Sequence, residues 1–299
     1  MSEDFWLSHR RGKTMQILDN GILRVSILEL GAELVSVRDG NDHERIVQPG
    51  PFWPGQAKNL FPNVGQIKDN YITVEGRRFR AQQHGFVKER YFTVTKMEKT
   101  RFVRFEMNAD EQSRLFLPGD YRVVIEFELE KNRLCQRFSV YNNAEKALFF
   151  GLGSHTGFAC DGPCELHFAS DEQLVELMRP GMMFLNGHTQ PFLTGDNGAV
   201  PLDVQKLFSE GARILDGFAH KRVSLLECES RRSVELEFSD FDYLALWGLP
   251  QTDEFVCLMP WCALPDYADT DHVFEHKPAN RKLATGEVFS CSQTMTFNG

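Results

Sequence analysis

Apolar and polar residues alternate with period two along much of the chain. Gly21-Ile22-Leu23-Arg24-Val25-Ser26-Ile27-Leu28 shows the alternation once it starts, and Tyr121-Arg122-Val123-Val124-Ile125-Glu126-Phe127-Glu128-Leu129 carries it for most of its length. Period two places successive side chains on opposite faces of an extended backbone, so these runs read as half-buried strands. Lys131-Asn132 separates the second run from Arg133-Leu134-Cys135-Gln136-Arg137-Phe138-Ser139-Val140-Tyr141, and the pair reads as a hairpin. Later runs repeat the form at Arg222 to Leu226, Ser233 to Phe238 and Tyr243 to Trp247. Apolar positions three and four apart are scarce, and one short helix is expected from Val204 to Glu210. The 25 phenylalanines suit pleated surfaces, on which aromatic rings pack well. Many short strands separated by Gly, Asn and Asp predict an all-β chain folded as a large antiparallel β-sandwich. No linker-like composition, internal repeat or low-complexity tract divides it, so residues 1–299 read as a single domain.

Composition narrows the partners. A net charge of −9, with no compact Lys/Arg tract, argues against nucleic acid. No apolar run reaches the roughly 18 residues of a membrane span. Met1-Ser2-Glu3-Asp4-Phe5-Trp6 carries acids where a secretory signal carries a basic end, which points to a cytoplasmic protein. The seven cysteines agree with that reading, and Cys135, Cys228, Cys257 and Cys291, set in apolar runs, are expected to be buried reduced thiols. Cys160 and Cys164 are close enough for a metal or disulfide pair, but no second pair with zinc spacing accompanies them, so they read as structural.

Two histidines stand out by their neighbours. His84, in Gln82-Gln83-His84-Gly85-Phe86, reads as a residue at a strand end where glycine lets a ligand approach, or as a histidine capping a turn. His155 follows the apolar Ala147-Leu148-Phe149-Phe150, inside a flexible glycine-bearing frame from Gly151 to Gly157. A histidine titrating near neutrality can deliver a proton to an ether oxygen, as the opening of a sugar ring requires.

These segments, taken in order, resemble the aldose 1-epimerase (galactose mutarotase-like) family over nearly the whole chain. Gly31-Ala32-Glu33-Leu34-Val35-Ser36 is similar to the early strand pair, and Trp53 with Leu60-Phe61-Pro62-Asn63-Val64-Gly65 to the first active-site strand. The two histidine motifs are Gln83-His84-Gly85-Phe86 and Gly153-Ser154-His155-Thr156-Gly157-Phe158. Ala245-Leu246-Trp247 with Val256 to Trp261 resembles the carboxylate strand, and Leu283-Ala284-Thr285-Gly286-Glu287 the turn before the last strand. The resemblance implies a β-supersandwich and the interconversion of α and β anomers of a sugar, without metal or organic cofactor. In that chemistry a glutamate takes the anomeric proton while a histidine protonates the ring oxygen. By position His155 is then the general acid, and His84 binds or orients ring hydroxyls. Asp216, in Leu215-Asp216-Gly217-Phe218, is similar to an aspartate that grips hydroxyls, or is an ordinary turn residue beside glycine. Phe86 and Trp261 are either rings that stack on a sugar or core aromatics.

The pattern breaks at the base. Phe255-Val256-Cys257-Leu258-Met259-Pro260-Trp261 puts Met259 where the family keeps its glutamate, and a thioether accepts no proton at neutral pH. Gln66 stands where arginine is common. Asp266, in Pro265-Asp266-Tyr267-Ala268-Asp269, follows the lost position, either as a replacement carboxylate or, more simply, as part of a solvated acidic loop with Asp269, Asp271 and Glu275. Two functions therefore stand side by side: an epimerase acting on a hexose or derivative with a weakened base, and a sugar-binding relative without turnover. Arg77, Arg78, Arg80 and Lys88 near His84 can meet an anionic substituent or can be ordinary strand-edge charges. The sequence names neither the sugar nor the oligomeric state.

Overall fold

The computed structural model describes residues 14–51, 53–179 and 184–299, so the N-terminal segment Met1 to Trp6 lies outside the described residues. Two large antiparallel sheets form the body. One has nine strands, ordered Ala199–Pro201, Cys164–His167, Arg222–Glu227, Ser233–Glu237, Val288–Asn298, Arg133–Asn142, Tyr121–Glu130, Phe102–Asn108 and Thr93–Glu98. The other has seven, ordered Thr189–Pro191, Val175–Leu177, Arg213–Asp216, Tyr243–Trp247, Phe255–Trp261, Gly153–Ala159 and Ala57–Leu60. The alternation read from the sequence selects their facing sides. Val123, Ile125 and Phe127 of the first sheet and Val256 and Leu258 of the second enter one apolar cluster that runs from Leu18 to Phe297. Burying that face removes apolar area from water, worth about 25 cal/mol per Å².

Local chemistry sets the punctuation. Arg133 pairs with Glu130, so Lys131 and Asn132 form a two-residue turn, with Lys131 at φ 52° as tight hairpins require. The expected helix forms as Val204–Phe208, started by Asp203, whose carboxylate accepts the Lys206 N–H at 3.0 Å. It stops short of Glu210, because Gly211 N–H bonds back to the Phe208 carbonyl at 2.9 Å and turns the chain at φ 85°. All seven cysteines are free thiols. Cys257 and Cys291 are buried as expected, but Cys135 and Cys228 are partly exposed, a correction to their apolar-run reading. Cys228 directly follows the strand Arg222–Glu227, and Cys135 alternates with the core residues Leu134 and Gln136.

A buried polar relay joins the two sheets. Asn59 Oδ1 accepts from Gln136 Nε2 at 2.8 Å, Gln136 Oε1 from Gln293 Nε2 at 2.7 Å, and Gln293 Oε1 from the Ser154 hydroxyl at 2.9 Å. Asn59 and Ser154 belong to the seven-stranded sheet, Gln136 and Gln293 to the nine-stranded one. Because buried amides must be paired, this relay fixes which face of the seven-stranded sheet points inward.

Candidate functional site

With Ser154 turned inward, period two sends His155 to the opposite face. On that face stand Phe255, Cys257, Met259 and Trp261 of one strand and Ala245 and Trp247 of its neighbour, in a second apolar cluster separate from the main core. A cavity of about 450 Å³ opens there. Trp53, Trp247 and Trp261 line it, with His84, His155, Arg179, Gln66, Gln83 and Met259. The glycines beside His155 do not form the expected flexible frame. Gly153 and Gly157 lie within the strand Gly153–Ala159, and their missing side chains make room for tryptophans. A Cβ on Gly153 would lie 2.5 Å from Trp261 Cδ1, and one on Gly157 would lie 2.7 Å from Trp53 Cζ3.

His84 arrives from another part of the chain, on a turn rather than a strand end. Its φ is 64°, and Gly85 follows at 66°. A Cβ at Gly85 would fall 2.0 Å from the Phe61 carbonyl oxygen, so this glycine serves backbone contact, not ligand approach. Gly65 holds the ring reciprocally: its N–H donates to His84 Nδ1 at 3.1 Å, and its carbonyl accepts the His84 N–H at 3.0 Å. Nδ1 is thereby an acceptor, which leaves the proton of the neutral ring on Nε2. Lys88 clamps the same turn, donating to the carbonyls of Gln83, at 3.0 Å, and of Gly85.

The rings converge. The centroids of His84 and His155 are 5.3 Å apart and nearly perpendicular. His155 also sits 5.3 Å from Trp53 and 5.6 Å from Trp247, and His84 sits 5.9 Å from Trp261. This aromatic burial disfavours the charged imidazolium. It takes His155 down to about 4, with the positive charge of Lys58 adding to the effect. His84 is held well below its ordinary value by burial, then by His155, Lys88, Lys58 and Arg179. Both rings are therefore neutral at pH 7. His155 Nδ1 is buried and has no hydrogen-bond partner among the described residues.

Carboxylates are absent from the described lining. Asp266, read from sequence as a replacement base or a solvated residue, is neither, being only 4% exposed. Its Oδ1 accepts from Lys277 Nζ and its Oδ2 from the Lys68 N–H at 2.9 Å. Its backbone N–H bonds to the Gln66 carbonyl at 3.1 Å, and its own carbonyl accepts the Leu185 N–H at 3.0 Å. Four contacts pin it beneath the cavity rim, unable to swing in. Asp271 is spent on the Val273 N–H and the His276 ring.

Of the residues singled out by sequence, His84, His155, Gln66, Met259 and Trp261 meet at the cavity. Phe86 and Asp216 do not line it, which corrects their reading as ligand contacts. The Phe86 ring packs in the core 5.2 Å from Phe116 and 6.2 Å from Phe61. Asp216 ends the strand Arg213–Asp216 and accepts its neighbour Gly217 N–H at 2.6 Å, as a turn residue does. The basic cluster stays outside as well: Arg77 and Arg80 are exposed, and Arg78 lies over the Tyr71 ring. Arg179 was missed, because a lone arginine two residues beyond the strand Val175–Leu177 carries no local signal. It donates from Nη2 to the Ala212 carbonyl at 2.7 Å. Among the described residues no group of three or more His, Cys, Asp or Glu side chains is placed to hold a metal ion.

Comparison with known proteins covers nearly the whole chain. The sequence profile of the family described as aldose 1-epimerase matches residues 14–295. Protein LacX (chromosomal) of Lactococcus lactis subsp. lactis is 28% identical over 298 residues, covering 94% of this chain and 98% of that protein. The galactose mutarotase related enzyme from Lactobacillus acidophilus superposes with a TM-score of 0.88 at 26% identity, over 96% of this chain and 98% of its own. A galactose mutarotase-like protein from Lactobacillus casei shares the fold at a TM-score of 0.90 and 22% identity, over 95% and 100% of the two chains.

Proposed function

The chain belongs to the aldose 1-epimerase family, and we propose that it binds a single sugar ring in the tryptophan-lined cavity and interconverts its anomers slowly, with His155 exchanging the proton. The observation that supports this most is the convergence of His84 and His155, their rings in edge-to-face contact with centroids 5.3 Å apart, on the wall of a cavity of about 450 Å³. Tryptophan faces suit the apolar sides of a pyranose, and Gln66, Gln83 and the His84 Nε2–H suit its hydroxyls. Ring opening loses the anomeric hydroxyl proton to water while the His155 imidazolium gives one to the ring oxygen, and closure on the other carbonyl face reverses both transfers.

The protonation state explains why turnover is slow. With its value near 4, His155 carries an acidic proton in only about one molecule in a thousand at pH 7. No carboxylate in the described lining raises that fraction or accepts the anomeric proton. A group lowered to about 4 gains its proton as pH falls, so the acid form grows about tenfold per unit between pH 7 and 5.

Polarimetry of fresh α-galactose and α-glucose tests this directly. After subtraction of the spontaneous reaction, the protein-dependent rate is expected to rise about tenfold per pH unit on acidification from 7 to 5. It is expected to vanish in His155→Ala. A rate independent of pH across that window removes His155 as the acid. The second reading, a sugar-binding relative without turnover, is favoured by the carboxylate-free described lining. Sugar binding with no rate above background at any pH would establish it.

A further inference from the structure

We infer, on the reading of His155 as the acid of the reaction proposed above, that Lys58 is a positioning residue for that acid, its ammonium holding the proton off His155 at neutral pH. Lys58 stands on Ala57–Leu60, the edge strand of the seven-stranded sheet, in register opposite His155. Paired residues of an antiparallel ladder share a face, with Cβ atoms about 4.5–5.5 Å apart. The adjoining pair fixes which face it is. Ser154 and Asn59 are partners in the same register, and both spend their side chains on the inward relay through Gln136 and Gln293. Lys58 and His155 therefore both stand on the opposite side, that of the cavity, where Lys58 is only partly exposed. Lysine on an edge strand also blocks pairing with another sheet, but that task needs no particular residue opposite it.

A charge at that place acts on the ring with little screening. Trp53, Trp247 and His84 wall the His155 ring, with centroids 5.3, 5.6 and 5.3 Å away, and they displace the water that would damp a field. Of the two influences that lower His155, burial is the larger and the charge of Lys58 the second. The other titratable and charged groups around the ring do not supply that field. His84 is itself neutral, and burial keeps the Cys257 thiol of the neighbouring strand protonated. Lys88 and Arg179 bear on His84 instead. Removing the Lys58 charge leaves burial in force, so His155 returns only part of the way towards its ordinary value. At this range one unit charge changes the protonated fraction by about tenfold. That difference is complete above both midpoints and vanishes below both, where the ring is protonated with or without the lysine.

Titration of the histidine ring resonances of the full chain by NMR tests the inference without any substrate, the His155 signal being identified by its loss in His155→Ala. Its midpoint is expected to rise by about one pH unit in Lys58→Met and in Lys58→Gln, which remove the charge with side chains of different shape. It should stay in place in Lys58→Arg, which keeps the charge. Polarimetry of α-galactose on the same proteins should then show about tenfold faster mutarotation at pH 7 in the two neutral variants, the gain fading as the pH falls to the midpoint. Lys58→Arg and the exposed Lys96→Met should match the unaltered chain. A merely structural change would scale the rate equally at every pH. An unmoved midpoint in either folded neutral variant would overturn the inference and leave the sugar site standing, and so would an equal rise in Lys58→Arg. A midpoint that rises with no gain in rate would uphold the electrostatic role of Lys58 and remove His155 as the acid.

Discussion

Met259→Glu is expected to raise the protein-dependent mutarotation rate of α-galactose at pH 7 by about 10²–10⁴-fold, the contribution of a positioned general base. Met259 stands on the same face of the sheet as His155, from a strand paired directly to it in the register Thr156 to Leu258. Both side chains line the cavity, so a carboxylate at position 259 enters the space that His155 shares. It would supply the missing proton acceptor. Its charge would also favour the imidazolium, drawing His155 up from about 4 towards neutrality, where it can serve as an acid at pH 7. Burial at 1% exposure opposes ionisation of the new carboxyl, while Arg179 supports it. Polarimetry gives the rate, and adding His155→Ala to Met259→Glu should remove the gain. A folded, sugar-binding Met259→Glu protein with no gain would show that the cavity departs from an epimerase site at more than one residue.

The largest loss of stability is expected at Lys277. Lys277 and Asp266 form an ion pair with both partners buried, at 6% and 4% exposure. Removing one partner strands the other charge in the interior, which costs about 3–5 kcal/mol. Lys277→Met should therefore lower the thermal midpoint by about 10 °C. Adding Asp266→Asn removes the stranded charge and still lets residue 266 accept the Lys68 N–H, so the double variant should recover at least half of the loss. Thermal unfolding followed by circular dichroism reads both values. Equal losses in the single and double variants would mean that Lys277 acts through packing of its stem rather than through its charge. The pair also bears on the site, because Asp266 ties the backbone of Gln66 and Leu185 together at the rim.

Period two was legible along much of the chain because strands are governed by local sterics and by the alternation of apolar and polar side chains. The hairpin at Lys131-Asn132, the strand Tyr243–Trp247 and the N-terminus of the short helix all lie where the pattern put them. The histidines and Met259 were legible through motifs, since each carries its identity in its neighbours. Phe86 was ambiguous because a ring beside a site histidine looks the same in sequence whether it faces the ligand or the core. The reason it faces the core is the turn at His84-Gly85, whose two positive φ values aim successive side chains differently.

Asp266 and Arg179 show where sequence reading stops. An aspartate in an acidic loop looks solvated until a lysine eleven positions later folds onto it. An arginine after a three-residue strand looks exposed until the edge of the sheet brings it to the cavity.

From its sequence alone the chain determined its strands, its two-sheet architecture, the two imidazoles and the thioether in place of a base. The fold decided their consequences. It buried the rings among tryptophans and so held them neutral, locked the carboxylate of Asp266 to a lysine, and delivered an arginine no motif announced. Alternation and motif are local and can be read along a chain, whereas desolvation and charge balance depend on which distant residues share a cavity.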